Sequence, residues 1–368
     1  MKFICTQENL ARGLNMVSHI AGRSTTLPIL KNVLIKAEAE GVSLATTNLE
    51  IAITTQVRGK VERSGEFTVQ ARVVLDYLNL LPPGNVTFEL VNGELMVSSS
   101  DSKTTLKGLP AEDFPVIPKV QDGARLSLPA KTLKTLLSQT VFAVASDEAR
   151  PEINGVLFHL KDQDLTLAAT DSYRLAEAKA KLTTTKEEQK IIVPNRSLLE
   201  WLRVAPEAGD ITLTISDNQI SFIAEDVELV SRLIEGQFPD YTQIIPSQFS
   251  TQVNFENDGF SKVLRQVGLF CRSGINDFTL TYQTTNELIL SAANAQVGAS
   301  DVKMSASVDG KDGKIVFNWR FLLDGLNVLG TDEVILRLND EKSPGLLEPK
   351  DHDKLPTKFR YLVMPIRQ

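Results

Sequence analysis

Three arginines at a fixed interval carry the most pointed chemistry of this 368-residue chain. Arg72, Arg196 and Arg320 stand 124 residues apart, in Val-Gln-Ala-Arg72-Val-Val-Leu-Asp-Tyr-Leu78, Val-Pro-Asn-Arg196-Ser-Leu-Leu-Glu-Trp-Leu202 and Phe-Asn-Trp-Arg320-Phe-Leu-Leu-Asp-Gly-Leu326. Each opens a stretch with the apolar spacing of an amphipathic helix. Asp76, Glu200 and Asp324 follow four residues later, so each arginine has an i, i+4 ion-pair partner worth about 0.2–0.5 kcal/mol. The order is the poorer one, because a cation at a helix N-terminus opposes the macrodipole. An anion at that end resolves the conflict, since N-terminal amides and a guanidinium both favour phosphate. Other helices add Arg12, then Lys131 and Lys134, then Lys262 and Arg265, and Arg23 and Arg203 lie close by in sequence. Phosphate is the ligand these residue types suit.

Reactive constellations are missing. The chain has no Gly-x-Gly-x-x-Gly after a strand, no Gly-x-x-x-x-Gly-Lys-Ser/Thr loop and no Gly-x-Ser-x-Gly elbow. Gly310-Lys-Asp-Gly-Lys314 reads as a turn between strands. His19, His159 and His352 are too scattered for a metal site, and Asp351-His352-Asp353 sits between Pro349 and Pro356 as a solvated loop. Cys5 and Cys271 are the only cysteines, which excludes a disulfide framework and a thiolate metal site and suits a reducing cytosol. No carboxylates pair in an apolar setting that would prepare one for acid–base work. The expectation is a protein that is not an enzyme and needs no cofactor or metal. No apolar run is long enough for a signal peptide or a bilayer span, so no membrane partner is expected. The net charge of −7 argues against nucleic acid only until its distribution is considered.

The arginines belong to a larger repeat. Leu44-Ala-Thr-Thr-Asn48, Leu167-Ala-Ala-Thr-Asp171 and Leu290-Ser-Ala-Ala-Asn294 recur every 123 residues. That period is far beyond the roughly 20–50 residues of a solenoid unit and matches a whole domain of about 100–150 residues. The chain is one fold written three times, with boundaries at the turns Ile117–Gly123 and Ile245–Ser247, giving domains 1–121, 122–246 and 247–368. Each copy splits into halves that open with a helix. The first helices bury Leu10, Leu14 and Val17; Leu133, Leu136, Leu137 and Val141; and Phe260, Val263, Leu264 and Val267. The arginine-led helices bury Val74, Leu75, Leu78 and Leu81; Leu198, Leu199 and Leu202; and Leu322, Leu323, Leu326 and Leu329. Short alternating runs follow, joined by turns at Asn92-Gly93, Asp217-Asn218, Glu40-Gly41, Asp162–Asp164 and Asn286-Glu287. The pattern is α+β, with antiparallel sheets and the helices on one face. Ser343–Lys358, with three prolines and mixed charge, reads as a long mobile loop.

Four motifs in order then carry a family resemblance: Leu27-Pro-Ile-Leu30, Ala169-Thr-Asp-Ser-Tyr-Arg-Leu-Ala176, Gly236-Gln-Phe-Pro-Asp-Tyr241 and Tyr361-Leu-Val-Met-Pro-Ile-Arg367. With the threefold layout, the chain resembles the bacterial DNA polymerase III beta subunits, the sliding clamps, from end to end. The resemblance implies a DNA clamp fold and a ring-shaped, head-to-tail homodimer of six domains, with helices on the inner side and sheets outside. Double-stranded DNA would pass through the hole without sequence readout. The implied peptide partners are the DNA polymerase III alpha subunit, the clamp loader complex, and other DNA polymerases and repair proteins.

Carried over position by position, the resemblance places a partner-peptide groove at Ile153, Thr170, Ser172, Tyr173, Arg174, Leu175, Pro239, Ile244, Phe321, Leu362, Met364, Pro365 and Ile366. Arg174 would be its polar handle. Leu269 and Phe270 would lie in the dimer seam. Pro151, Glu152, Gln243 and Thr104 depart from residues that some members carry near the DNA, on the groove rim and at the dimer contact. The rival readings are an enzyme on a triplicated scaffold, a monomeric peptide-binding adaptor and a specialised drug-resistance clamp copy. The first lacks any reactive group, and dimerisation separates the second.

Overall fold

The computed structural model of the chain describes residues 1–22, 27–120, 122–147, 149–351 and 355–367, with the side chains of residues 184–186 excepted. Among the described residues are six α-helices, two in each copy of the repeat: α1 (Gln7–Ser18) and α2 (Ala71–Leu80), α3 (Ala130–Ser138) and α4 (Asn195–Val204), α5 (Asn257–Gly268) and α6 (Trp319–Val328). Arg72, Arg196 and Arg320 are the second residues of α2, α4 and α6, so the repeat places them identically. Caps fix several of these starts. The Thr6 hydroxyl accepts from the Asn9 N–H at 3.3 Å, a Glu256 carboxylate oxygen from the Gly259 N–H at 2.6 Å, and the Asn318 side chain from the Arg320 N–H at 3.0 Å.

The chain forms two compact units, one of Met1–Ala130 with Leu199–Leu233, the other of Lys131–Leu198 with Ile234–Gln368. In the first unit a five-stranded sheet runs in the order Lys60–Arg63, Lys2–Thr6, Asn85–Val91, Glu94–Ser98, Lys103–Leu106. A nine-stranded sheet runs Gly108–Leu109, Gly65–Gln70, Asn32–Glu38, Gly41–Thr47, Ile51–Val57, Val227–Arg232, Gln219–Ala224, Asp210–Ile215, Ala124–Pro129. All pairings are antiparallel, and the Asn92-Gly93 turn has positive φ at both residues (52° and 80°), as a type I′ hairpin requires. Helix α1 lies on α2 and on strands Gly41–Thr47 and Ile51–Val57. Gly13 allows that approach, because a Cβ there would collide with the Val57 side chain.

The second unit holds a seven-stranded sheet in the order Gly155–Thr170, Arg174–Pro194, Lys358–Val363, Gly345–Pro349, Glu333–Leu338, Thr251–Glu256, Ser307–Asp309. A four-stranded sheet runs Gly298–Ser305, Glu287–Asn294, Asp277–Gln283, Gly313–Asn318. Helix α5 packs on α6, and α6 on the strand Lys358–Val363. The middle copy contributes to both units, because its strands pair at Ile51–Val57 with Val227–Arg232 and at Arg174–Pro194 with Lys358–Val363.

Three expectations need correction. Asp162–Asp164 is not a hairpin turn: Gly155–Thr170 is one strand, bulged between Leu160 and Asp164, with φ of 53° at Asp162. Ser343–Lys358 is not a loop throughout. Gly345–Pro349 is a buried strand inside the seven-stranded sheet, because Leu346 and Leu347 supply a core row between bracketing prolines. His352 and Asp353 lie outside the described residues. In α4, Leu199 is 51% exposed rather than buried, and the fully buried Trp201 takes that place against Phe222, ring centroids 5.2 Å apart. The other apolar stripes face inward as their spacing dictates, with Leu75, Leu81, Leu202, Val263 and Leu323 half-buried.

Candidate functional site

The second unit holds the sharpest cluster of polar contacts, at the turn between the strands Gly155–Thr170 and Arg174–Pro194. The Thr170 hydroxyl donates to the Arg174 carbonyl (2.6 Å) and accepts from the Ser172 N–H (3.1 Å). Asp171 Oδ1 accepts from the N–H groups of Tyr173 (2.9 Å) and Arg174 (3.0 Å). These bonds hold Ser172 at φ 77°, a left-handed conformation that an L-residue adopts only when its surroundings fix it. The Met364 N–H closes the turn by donating to the Tyr173 carbonyl at 2.9 Å.

Arg174 is pinned from every side. Its Nε donates to Asp171 Oδ2 (2.8 Å), Nη1 to Asp324 Oδ2 on α6 (2.6 Å) and Nη2 to the Phe142 carbonyl (2.9 Å). The guanidinium lies over the Phe321 ring at 4.5 Å and near the Phe142 ring at 5.6 Å, a cation–π arrangement. Phe142 also meets the buried Tyr361 ring at 5.3 Å, and the Tyr361 hydroxyl donates to the Phe321 carbonyl at 2.9 Å. Arg174, the expected polar handle, thus joins the turn, the segment around Phe142 and α6.

Leu175 points the other way, as consecutive strand residues must. Cross-strand register sets Thr170 against Leu175, Leu175 against Leu362 and Leu362 against Leu346, so the four form one row on one face. Leu175 and Leu362 are each 1% exposed within a cluster of Leu157, Ala168, Tyr241 and Leu346, against which Phe238, Ile245 and Phe249 pack. The next row on that face is charged. It holds Glu177, Arg360 and Glu348: Arg360 Nε donates to Glu177 Oε1 at 2.7 Å, and Glu348 Oε2 accepts at 2.9 Å from Nε of Arg337, which ends the leucine row beside Leu346.

The groove residues thus divide. Thr170, Leu175 and Leu362 share the outer row, with Tyr173 (65%) and Ile244 (47%) exposed and Pro239 and Met364 half-buried. Arg174 and Phe321 lie together on the helix side. Ile153 is buried and its carbonyl accepts from the Ala145 N–H. Ile366 bonds to the edge of the four-stranded sheet, N–H to the Val316 carbonyl at 2.8 Å, and lines a cleft with Lys314, Val316 and Lys342, while Pro365 is half-buried. Sequence reasoning missed Asp171, whose Asx side chain at a strand end is a turn signal, and Phe142, Asp324, Tyr241 and Leu346, which carry none.

The cations stand where the helix pattern puts them. Arg12, Arg72, Lys131, Arg196, Arg203, Lys262, Arg265 and Arg320 are exposed, Lys134 is half-buried, and Arg23 lies outside the described residues. The six helices carry nine basic and five acidic residues, a balance of +4, so with a total of −7 the rest of the chain carries −11. The expected i, i+4 pairs form only once, Arg72 with Asp76 at 3.6 Å. Glu200 instead meets His19 Nδ1 (2.8 Å) and Arg203 Nε (2.9 Å), and Asp324 meets Arg174. Burial alone would push the Glu200 carboxyl up, but these two partners hold it below the usual range. Arg203 also donates to the Asn15 and Met16 carbonyls on α1, so it serves packing as well as surface charge. Arg265 reaches Asn327 at 3.5 Å.

Lys103–Leu106, which includes the half-buried Thr104, is an edge strand of the five-stranded sheet, and Gly298–Ser305 an edge strand of the four-stranded sheet. Leu269, at the end of α5, is 72% exposed, with half-buried Phe270 after it, close to Gly298. Cys5 and Cys271 are buried, and burial pushes each thiol up to about 11, so neither is a nucleophile at neutral pH. Among the described residues no three His, Cys, Asp or Glu side chains gather to hold a metal, and no helix is long and apolar enough to cross a membrane.

Three α+β copies, each with two helices presenting cations to solvent, define the three-domain clamp class. The DNA polymerase III beta subunit family matches its N-terminal domain at residues 1–118, its central domain at 127–240 and its C-terminal domain at 242–367. The beta sliding clamp of Synechocystis is 31% identical over all of this chain and 99% of its own length. Crystal structures of the DNA polymerase III subunit beta from Pseudomonas aeruginosa (28% identical) and the DNA polymerase sliding clamp from Bacillus subtilis (27%) each superpose with a TM-score of 0.95, covering all of this chain and at least 99% of theirs. The chain belongs to the family of bacterial DNA polymerase III beta subunits, the beta sliding clamps.

Proposed function

We propose that two copies of the chain join head to tail into a closed ring that encircles duplex DNA and tethers the replicative polymerase in the cytoplasm. The working domains are 1–121, 122–246 and 247–368. The charge division carries this reading: a net +4 on the helices and −11 elsewhere draws DNA to one surface and repels it from the rest. Arg12, Arg72, Lys131, Lys134, Arg196, Arg203, Lys262, Arg265 and Arg320 face the hole. Sliding needs contacts that are many, weak and confined to phosphates, because base-edge hydrogen bonds would arrest movement. The edge strands Lys103–Leu106 and Gly298–Ser305 favour a seam in which each completes the other's sheet, with Leu269 and Phe270 buried there.

The protein does no chemistry itself. Short peptides of the polymerase alpha subunit, the clamp loader, other polymerases and repair proteins dock beside the outer row, on Tyr173, Pro239, Ile244 and Met364 over a floor of Leu175 and Leu362. A peptide of five or six residues buries little area, so its affinity is micromolar and partners exchange. Two grooves per ring hold two tethered partners at high effective concentration. Charge reversal at both Arg196 and Arg320 should weaken DNA binding about tenfold or more and flatten its salt dependence, with peptide affinity unchanged. An equal loss on reversing the outlying Lys161 would contradict the reading.

A further inference from the structure

The three arginine-led helices run the same experiment three times. In α2, Asp76 has no ion-pair partner other than Arg72 among the described residues, and the two pair. In α4, His19 and Arg203 hold Glu200, and Arg196 has no ion pair among the described residues. In α6, Arg174 holds Asp324, and the Arg320 guanidinium lies instead over the Trp319 ring at 5.3 Å. The leading arginine is paired only where its acid has no competitor.

We propose that Arg174 is a positioning residue for the helix surface: by holding Asp324 it keeps Arg320 unpaired and open to a DNA phosphate. The inference rests on the reading of α6 as a DNA-facing helix. Arg174 wins the competition for Asp324 on physical grounds. Its side chain is already fixed by Asp171, the Phe142 carbonyl and two aromatic rings, so it loses little freedom in gripping one more carboxylate. Arg320 is exposed and would have to surrender side-chain entropy for a solvent-screened pair. An arginine already paired must shed its carboxylate before it takes a phosphate, so the diversion favours DNA. The same guanidinium fixes the turn that carries Tyr173, which gives one residue a hand in both surfaces.

The test uses the full chain with Arg174→Gln, Asp324→Asn, the double variant and Arg320→Gln. Affinity for a short duplex is measured against salt, and acrylamide quenching of tryptophan reports the Arg320 position, because Trp201 is fully buried and Trp319 is not. Arg174→Gln should lower the salt slope by about 0.9, one phosphate contact, and raise Trp319 quenching as Arg320 leaves the ring. Adding Asp324→Asn should restore both, since no acid then remains to capture Arg320. A double variant that stays as impaired as Arg174→Gln would mean simple loosening of the fold and overturn the proposal. If Arg320→Gln lowers the slope and Arg174→Gln does not, the positioning role is likewise overturned. If neither variant moves the slope, the placing of α6 on DNA is what fails.

Discussion

The turns Thr47–Ile51 and Thr170–Arg174 lie 123 residues apart and share one hydrogen-bond scheme. In each the threonine hydroxyl accepts from the residue two ahead and donates to the carbonyl four ahead. In each the next side chain, Asn48 or Asp171, accepts from two successive N–H groups. Leu49 and Ser172 both sit at φ 77°. Even the closing bond repeats, Arg232 N–H to the Glu50 carbonyl and Met364 N–H to the Tyr173 carbonyl, each 2.9 Å. The third copy has Ala293 where the others have threonine; Asn294 still accepts from the Gln296 N–H, and no positive φ appears at Ala295. What differs between the first two is cargo. The first turn presents Glu50 and Ile51, the second Tyr173 and Arg174, and Arg174 alone reaches a helix. The two copies share their backbone geometry and differ in two side chains.

The largest expected effect comes from deleting Met364 to Gln368. The second turn then loses its closing bond while the first keeps its own, so peptide affinity should fall at least a hundredfold in a binding titration, with the dimer intact by sedimentation. Native affinity in the truncated protein would put the groove elsewhere. Next come Thr170→Val and Thr47→Val. Each leaves an N–H and a carbonyl without their partner and should cost about 1–3 kcal/mol in urea unfolding. Only Thr170→Val should also weaken peptide binding; equal weakening by both would erase the functional distinction between the turns. The smallest effect is Leu49→Gly, which relieves a left-handed leucine at the cost of a more flexible unfolded chain. The net gain should be about 0.5 kcal/mol, and a loss of stability would mean that the half-exposed Leu49 side chain packs more than its surroundings indicate.

Much of this was legible in the sequence. Helix faces follow a 3.6-residue period, and five of six turned inward as read. Leu199 failed because α4 offers two neighbouring apolar positions and only tertiary packing chooses Trp201. The opposite orientations of Arg174 and Leu175 follow from strand alternation, which separates two residues that the resemblance assigns to one groove. Asp324 as partner of Arg174 was not legible: it lies 150 residues away, and its helical spacing advertises Arg320 instead. Gly345–Pro349 hid behind its prolines, which mark loops in isolation but here bracket a strand.

The central claim is topological, and one measurement addresses it most directly. The protein is loaded by a clamp loader onto nicked circular DNA, and retention in high salt is followed before and after a single cut linearises the circle. A closed ring held by its shape should stay on the circle for many minutes and leave within seconds of the cut, because salt screens phosphate contacts but does not open a ring. Equal, salt-sensitive loss from circular and linear DNA would contradict encirclement and leave only a basic surface that sticks to phosphates.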